Sequence, residues 1–325
     1  MKYLFPTVNY SRLATLLATP ALLAAAALSV HAQSTPNLTE PIYRVANEQA
    51  IQDQHIQLVA NEEPAAKVAS RIVPATTTSA GLNLDPIPGQ HPLMPSLRLA
   101  QQSLADIDQN IKDYSAIMYK QERIDGELLD QEVAFVKVRH QPFGVYMFFL
   151  SKQNKGREVV YSQNPDGSIG KLNARDCGFK KRLGVFSLDP NGKLAMSGQK
   201  YPITKLGIRE LTNELITVAS NDVKYGECDV RTAQTAVGPK GNKRPVTLIE
   251  VTHPVPRPKT FRFHKAQVYI DNELKIPIRY AAYLWPEKPG EQPPLEEAYT
   301  YVNLKINNGF TDLDFSKDNP DYFKP

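Results

Sequence analysis

The sequence predicts an α+β domain in which a curved antiparallel sheet, an incomplete β-barrel, carries two main helices that plug one face. Residues 96–118 show a helical apolar period, about nine strand-like segments joined by turns follow, and a second helical segment at 202–220 interrupts them. Strands joined in sequence by short turns are mostly antiparallel, and a sheet of this size tends to curl. Two helices are too few to cover both faces of a parallel sheet.

The first 32 residues are typical of an export signal. Lys2 and Arg12 precede an apolar run at residues 13–30, and the Val-His-Ala tripeptide at 30–32 places small residues where a signal peptidase cleaves. We therefore predict cleavage after Ala32 and a periplasmic or secreted protein. The alternative is an uncleaved membrane anchor, because the run is about long enough to span a bilayer. No integral membrane domain is expected after cleavage, since no later apolar run is long enough to cross.

Residues 33–91 differ in composition from the rest of the exported chain. Proline, alanine and threonine are common there, and residues 74–81 carry no periodicity. Such a segment cannot bury enough apolar area to become ordered, so a disordered tether is predicted, followed by one folded domain at 92–325.

The net charge is +4, and loss of Lys2 and Arg12 with the signal leaves +2. Nucleic acid is therefore not an expected partner.

The first helix carries one apolar stripe, and its C-terminal end is expected to give way to a strand at about 114–123. An Asp-Gly pair at 125–126 indicates a hairpin, and turns are also predicted at 164–167, 189–192 and 271–272. Pro202 is expected in the first turn of the second helix. The other predicted strands are 132–140, 143–150, 156–162, 227–234, 245–253, 260–270, 276–285 and 297–306.

Two strands are apolar on both faces, at residues 145–150 and 280–285. Such strands need cover on both sides. Three covers remain open: a helix packed on the sheet, a cavity that holds an acyl chain or lipidated peptide, and a protein-binding face. Alternation also places apolar residues of 302–306 on one face. The residues expected to line a cavity are Met147, Phe149, Trp285, Val302 and Leu304.

Cys177 and Cys228 are the two cysteines of the chain. In an exported protein an even pair is a candidate disulfide, and the alternative is two separate buried thiols. Arg157 lies in a polar Lys-Gly-Arg-Glu cluster at 155–158. Its guanidinium is a candidate contact for a carboxylate or phosphate, and the alternative is an ion pair with a nearby Asp or Glu.

The sequence contains no recognised catalytic motif, metal site or phosphate-binding loop. A serine nucleophile needs a strand-to-helix turn, which Ser168 lacks, and Glu296 and Glu297 are expected to be solvated. A zinc site needs four ligands at set spacings. We therefore expect no catalytic residue, no metal and no cofactor, and hence no enzyme. Three histidines lie on separate predicted strands, without metal-site spacing: His140, His253 and His264.

Several motifs together carry a family resemblance. The Tyr-Lys-Gln-Glu-Arg-Ile segment at 119–124, with 135–139, 155–158 and 301–307, resembles a bacterial family of exported proteins known only as domain of unknown function 1571. The resemblance covers residues 97–323. That family is distantly similar to the periplasmic lipoprotein carrier LolA. The resemblance implies a LolA-like incomplete barrel with a helix-plugged apolar mouth, and binding of an acyl chain or lipoprotein rather than catalysis.

The tether and the two cysteines are not part of the carrier pattern, and no residue of a defined transfer site can be matched. The leading expectation is an exported envelope carrier or binding module for an apolar ligand, either an acyl chain or a lipoprotein. The alternative is a non-enzymatic structural or interaction protein of the cell envelope that has no lipid ligand.

Overall fold

The computed structural model describes residues 81–324, apart from residues 227, 258 and 289. The predicted export signal and most of the predicted tether lie outside the described residues. The described end of the tether segment contacts the domain, because Leu82 is buried in the same apolar cluster as Leu93. Within the described residues, no helix is both long and apolar enough to cross a membrane.

The described chain contains two α-helices and twelve strands. The helices are α1, Met94–Asn110, and α2, Ile208–Asp222. The strands are β1 Asp113–Ile124, β2 Glu127–Leu128, β3 Glu132–Arg139, β4 Gly144–Phe149, β5 Glu158–Ser162, β6 Leu172–Arg175, β7 Phe186–Leu188, β8 Asp229–Val237, β9 Arg244–Thr252, β10 Lys265–Asp271, β11 Pro277–Tyr283 and β12 Leu295–Ile306.

The predicted fold class is confirmed: one large antiparallel sheet, curved and not closed, carries both helices. Its strand order is β7-β6-β5-β4-β3-β1-β12-β11-β10-β9-β8, and β2 extends β1 as a short hairpin. The first and last long strands, β1 and β12, pair at the centre. The edge strands β7 and β8 do not pair with each other among the described residues, so the barrel stays open.

Two local features place the helices differently from the sequence prediction. α2 begins at Ile208 rather than in the region of Pro202, because Gly207 precedes it with a φ of 116° and the Ile208 N–H donates to Tyr114 Oη at 2.9 Å. A Cβ on Gly207 would lie 2.9 Å from that oxygen, so glycine is required by the close approach. α1 ends at Asn110 and the chain becomes extended at Ile111.

Both helices pack on the concave face. Alternation on β4 directs Val145, Met147 and Phe149 to this side, where they join a cluster that includes Ile107 of α1 and Ile208 of α2. A second cluster on the same face unites α2 with β9, β10 and β11. The helices therefore plug one face of the sheet, as predicted.

The C-terminal tail, residues 312–324, covers part of the convex face. Tyr146 of β4 stacks on Tyr322 with ring centroids 3.9 Å apart. Phe315 lies so close to Gly144 that an added Cβ would approach it to 2.7 Å. The fully buried carboxylate of Glu158 binds Arg175 at 2.9 Å, and Arg175 also donates to the Phe323 carbonyl. The tail thus covers the second apolar face of β4.

Candidate functional site

A cavity of about 880 Å³ lies between the concave face and the two helices. Val159 of β5 and Ile249 of β9 both line it, although these strands are far apart in the strand order. The curvature of the sheet therefore brings its two arms to opposite sides of one cavity.

The cavity wall is mainly apolar. On the sheet, strand alternation directs every second residue inward, and on the helices the inward stripe recurs at three or four residues. The segment that joins β7 to α2, residues 189–207, completes the wall and is called the crossing segment below. The principal apolar side chains are Leu93, Leu99, Met118, Met147, Phe149, Val159, Leu172, Leu188, Leu211, Leu215, Val218, Ile249, Phe263 and Val268.

One end of the cavity is polar, where the crossing segment meets β1 and β12. Lys200 Nζ lies 3.0 Å from a Glu297 carboxylate oxygen, and its backbone N–H donates to Glu122 at 3.0 Å. Tyr201 Oη donates to Glu297 at 2.9 Å, and Tyr299 Oη donates to Glu122 at 2.6 Å. These five residues are called the polar cluster. Each charged group in it has a protein partner, so the cluster fastens the crossing segment to the sheet.

Burial is the largest cause of the pKa shifts of three members of the polar cluster, Glu297, Tyr201 and Tyr299. Burial raises the pKa of the Glu297 carboxyl above its usual value, although Lys200 and Tyr201 favour the charged form. Burial, with the nearby Glu297 carboxylate, also raises the pKa of Tyr201 and of Tyr299. The tyrosine hydroxyls therefore stay protonated at neutral pH, and they donate hydrogen bonds to Glu297 and Glu122.

The predicted cavity residues divide into two groups. Met147 and Phe149 line the cavity; Arg157, predicted only as an anion contact, lines it as well. Val302 does not; it packs on Ile117 and Tyr119 in a cluster on the convex face. Leu304 packs into the concave core without lining the cavity. Strict alternation had placed Val302 and Leu304 on one face, which is wrong.

A β-bulge causes this error. The register of β1 against β12 shifts between the Ile117–Val302 and Ser115–Lys305 pairs, and Asn303 between them has a φ of 54°. The extra residue turns the next side chain to the other face of the sheet. Trp285 follows the end of β11 and lies beside His264, with ring centroids 5.8 Å apart, also outside the cavity lining.

Arg157 is paired within the protein. Its guanidinium donates to Asp176 from Nε at 3.1 Å and from a terminal nitrogen at 3.0 Å. Burial opposes the Asp176 charge, yet hydrogen bonds from Cys177 and Arg157 leave its pKa below the usual value. Of the two interpretations of Arg157, the geometry matches the ion pair with a nearby carboxylate.

The candidate disulfide is not formed: Cys177 and Cys228 are free. Cys177 follows β6 and Cys228 precedes β8, and these strands lie toward opposite ends of the strand order. Burial raises the pKa of the Cys228 thiol to about 12, so it is a neutral side chain of the α2 cluster at neutral pH. Of the alternative, two separate buried thiols, the separation matches the structure, but only Cys228 is buried and Cys177 is half-buried.

The remaining polar candidates have structural partners. His253 bonds Asp222 at 3.1 Å, His140 bonds the Ile111 carbonyl at 2.8 Å, and His264 bonds the His253 carbonyl at 2.9 Å. Among the residues that the structure describes, no group of three or more His, Cys, Asp or Glu is placed to hold a metal ion. Ser168 lies in an exposed turn.

The expectation of a solvated Glu297 was wrong, since this residue is only 3% exposed. Its partners Lys200 and Tyr201 come from the crossing segment, and Tyr201 lies 96 residues earlier in the chain. The only sequence signal for this contact was the adjacent charged and aromatic pair Lys200–Tyr201. No local sequence pattern indicates that this pair contacts Glu297 of β12.

Comparison with known proteins gives one family. A family model described as "Protein of unknown function (DUF1571)" matches residues 111–323. A search of curated proteins finds no match.

Several solved structures are similar at low identity. A putative outer membrane lipoprotein-sorting protein domain from Vibrio parahaemolyticus is 13% identical, with 68% of this chain and 96% of that chain covered and a TM-score of 0.31. A LolA superfamily protein from Nitrosomonas europaea is 12% identical, with 67% of this chain and 98% of that chain covered and a TM-score of 0.27. The Mycobacterium tuberculosis lipoprotein LppX is 14% identical, with 66% of this chain and 98% of that chain covered and a TM-score of 0.34.

Proposed function

Because the chain belongs to the DUF1571 family of proteins of unknown function, we propose a function from its own cavity: an exported envelope carrier or binding module for an apolar ligand. The ligand class is an acyl chain, either free or attached to a lipidated protein. Export is supported by the basic lead, the apolar run and the small residues before position 33.

The apolar cavity carries this proposal. Its volume of about 880 Å³ falls within the range of roughly 300–1,000 Å³ that ligand pockets occupy. Close-packed interiors leave few voids larger than a water molecule, so a space of this size is not a packing remainder. Transfer of an acyl chain from water into such a space is favourable at roughly 0.8 kcal/mol for each buried methylene.

The polar cluster supports an apolar ligand rather than an ionic one. Lys200 and Glu297 neutralise each other, and the Glu122 carboxylate accepts hydrogen bonds from Tyr299 and the Lys200 backbone. A charged ligand would have to replace these partners, which costs free energy in a buried site. The hydrocarbon tail of an acyl chain needs no such replacement, because the apolar part of the wall surrounds it.

A cavity-filling substitution tests the proposal. Ala174 of β6 lines the cavity, and Ala174→Phe places a ring in the ligand space. We expect the Kd for a fluorescent fatty acid to rise by roughly tenfold or more, which corresponds to about 1.4 kcal/mol. Native mass spectrometry of protein purified from the envelope should show a co-purifying lipid on the wild type and less of it on the variant.

Ala236→Phe is the matched control, because Ala236 is exposed on β8 and outside the cavity lining. It should leave uptake unchanged. A clean apo mass for the wild type, together with no uptake of the probe, contradicts the carrier proposal. That result would favour the alternative of an envelope interaction protein without a lipid ligand.

A further inference from the structure

Exposed apolar side chains are concentrated at one edge of the sheet. Ten large hydrophobic residues are exposed in the described chain, and five of them fall within residues 178–194, here called the rim segment. A single exposed apolar residue is ordinary, but a group of this kind marks an interaction surface. The five residues are Phe179, Leu183, Val185, Phe186 and Leu194.

The rim segment is also basic. It contains four cationic residues, Lys180, Lys181, Arg182 and Lys193, against one acidic residue, Asp189. The Lys180 side chain is 72% exposed, and Arg182 lies over the Phe179 ring at 5.2 Å. Cationic and aromatic side chains are therefore presented together to solvent.

The rim segment borders the mouth of the cavity. Leu183, Phe186 and Leu194 are exposed and also line the cavity. They therefore occupy the boundary between the ligand space and solvent. A surface that docks on this segment would face the opening directly.

We propose that the rim segment docks the cavity mouth on a lipid bilayer that contains anionic lipids. Aromatic and leucine side chains enter the headgroup region of a bilayer, and Lys and Arg beside them are attracted to anionic headgroups. A protein partner fits less well, because lysine is depleted at protein interfaces. A two-fold contact with a second copy would bring the same cations together.

This docking goes beyond the proposed carrier function and is measured separately from it. Protein released from the envelope without detergent is mixed with vesicles of phosphatidylcholine that contain one third phosphatidylglycerol, and the bound fraction is measured by flotation. We expect binding to these vesicles, loss of binding at high salt, and weak binding to phosphatidylcholine alone.

The charge-reversal variant Lys181→Glu with Arg182→Glu should lower vesicle binding roughly 30-fold or more. Lys240→Glu with Lys243→Glu changes the net charge equally on the exposed β8–β9 turn, so it is the matched control. The control should stay within roughly threefold of wild type. Residues 1–80 are identical in all variants, so the difference reports the rim segment.

A second variant tests the apolar part. Phe179 is 80% exposed, so Phe179→Ala should leave the thermal unfolding temperature unchanged and lower vesicle binding several-fold. Three results would overturn the proposal: no binding of wild type to anionic vesicles, equal loss in the variant and the control, or a dimer that dissociates on Phe179→Ala without vesicle binding. Fatty-acid uptake in the same preparations shows whether the carrier function stands or fails independently.

Discussion

The two faces of β4 carry similar apolar side chains but have different surroundings. On the convex face, Tyr146 stacks on Tyr322 of the chain's own tail, with Glu158 and Arg175 buried next to it. On the concave face, Met147 and Phe149 border a cavity of about 880 Å³. Protein side chains pack directly on the convex face, whereas the helices that cover the concave face leave a cavity between themselves and the sheet. A strand that is apolar on both faces must therefore be covered on both sides. The sequence pattern does not show whether the cover is packed protein or a cavity beneath helices.

The largest expected effect lies on the filled face. Glu158→Ala removes the carboxylate that pairs with Arg175 and leaves a buried cation uncompensated. We expect the free energy of unfolding to fall by about 3–5 kcal/mol, measured by urea denaturation. Glu158 lies outside the cavity lining and Arg175 contributes to it, so fatty-acid uptake by the folded fraction should change little compared with the loss of stability.

The tail offers a control for this variant. Asp318 forms an exposed pair with Lys317, so Asp318→Ala should cost less than about 1 kcal/mol. A similarly small cost for Glu158→Ala would show that the tail does not depend on its buried ion pair.

A smaller effect is expected at the polar end of the cavity. Because the pKa of Glu297 is raised in the folded state, the folded protein holds this proton at pH values where the unfolded chain has lost it. The free energy of unfolding that wild type derives from Glu297 therefore falls as pH rises above about 4.5 through the folded pKa. Glu297→Gln removes this titration.

The measurement is urea unfolding of both proteins between about pH 4 and pH 7. We expect the variant to gain stability relative to wild type as pH rises. Glu291→Gln, in an exposed loop, should run parallel to wild type. A difference between Glu297→Gln and wild type that stays constant, or moves the other way, contradicts the assigned direction of the pKa.

The smallest effect is expected at Arg157, whose side chain is 36% exposed. Arg157→Lys loses the two-nitrogen contact to Asp176, which at this exposure stabilises by roughly 0–1 kcal/mol. Fatty-acid uptake should be unchanged in a binding titration. A tenfold loss of uptake without loss of stability would instead assign Arg157 to the ligand.

The general architecture could be predicted because its signals are local. Helical periodicity indicated α1 and α2, and turn residues such as Asp125 and Gly126 separated the strands. Alternation puts Met147 and Phe149 on one face of β4, and both side chains line the cavity on the concave side. The strands β6 and β7 were not predicted, because segments of four and three residues are too short to show alternation.

The remaining features depend on contacts that are distant in sequence. The positive φ of Asn303 reverses which side chains of β12 point to each face of the sheet, and no residue pattern predicts it. The burial of Glu297 depends on the crossing segment, and the cover of Tyr146 depends on a tail that begins more than 160 residues later. Sequence periodicity reports which side chains share a face, whereas it does not report what packs on that face.

A crystal structure with a brominated fatty acid tests the central claim most directly, because the anomalous signal of bromine locates the chain. The account predicts a bromine peak inside the cavity, within about 4 Å of side chains such as Met147, Phe149 or Leu215. A bound ligand whose bromine lies on the convex face, or an empty cavity in crystals grown with saturating ligand, would contradict it.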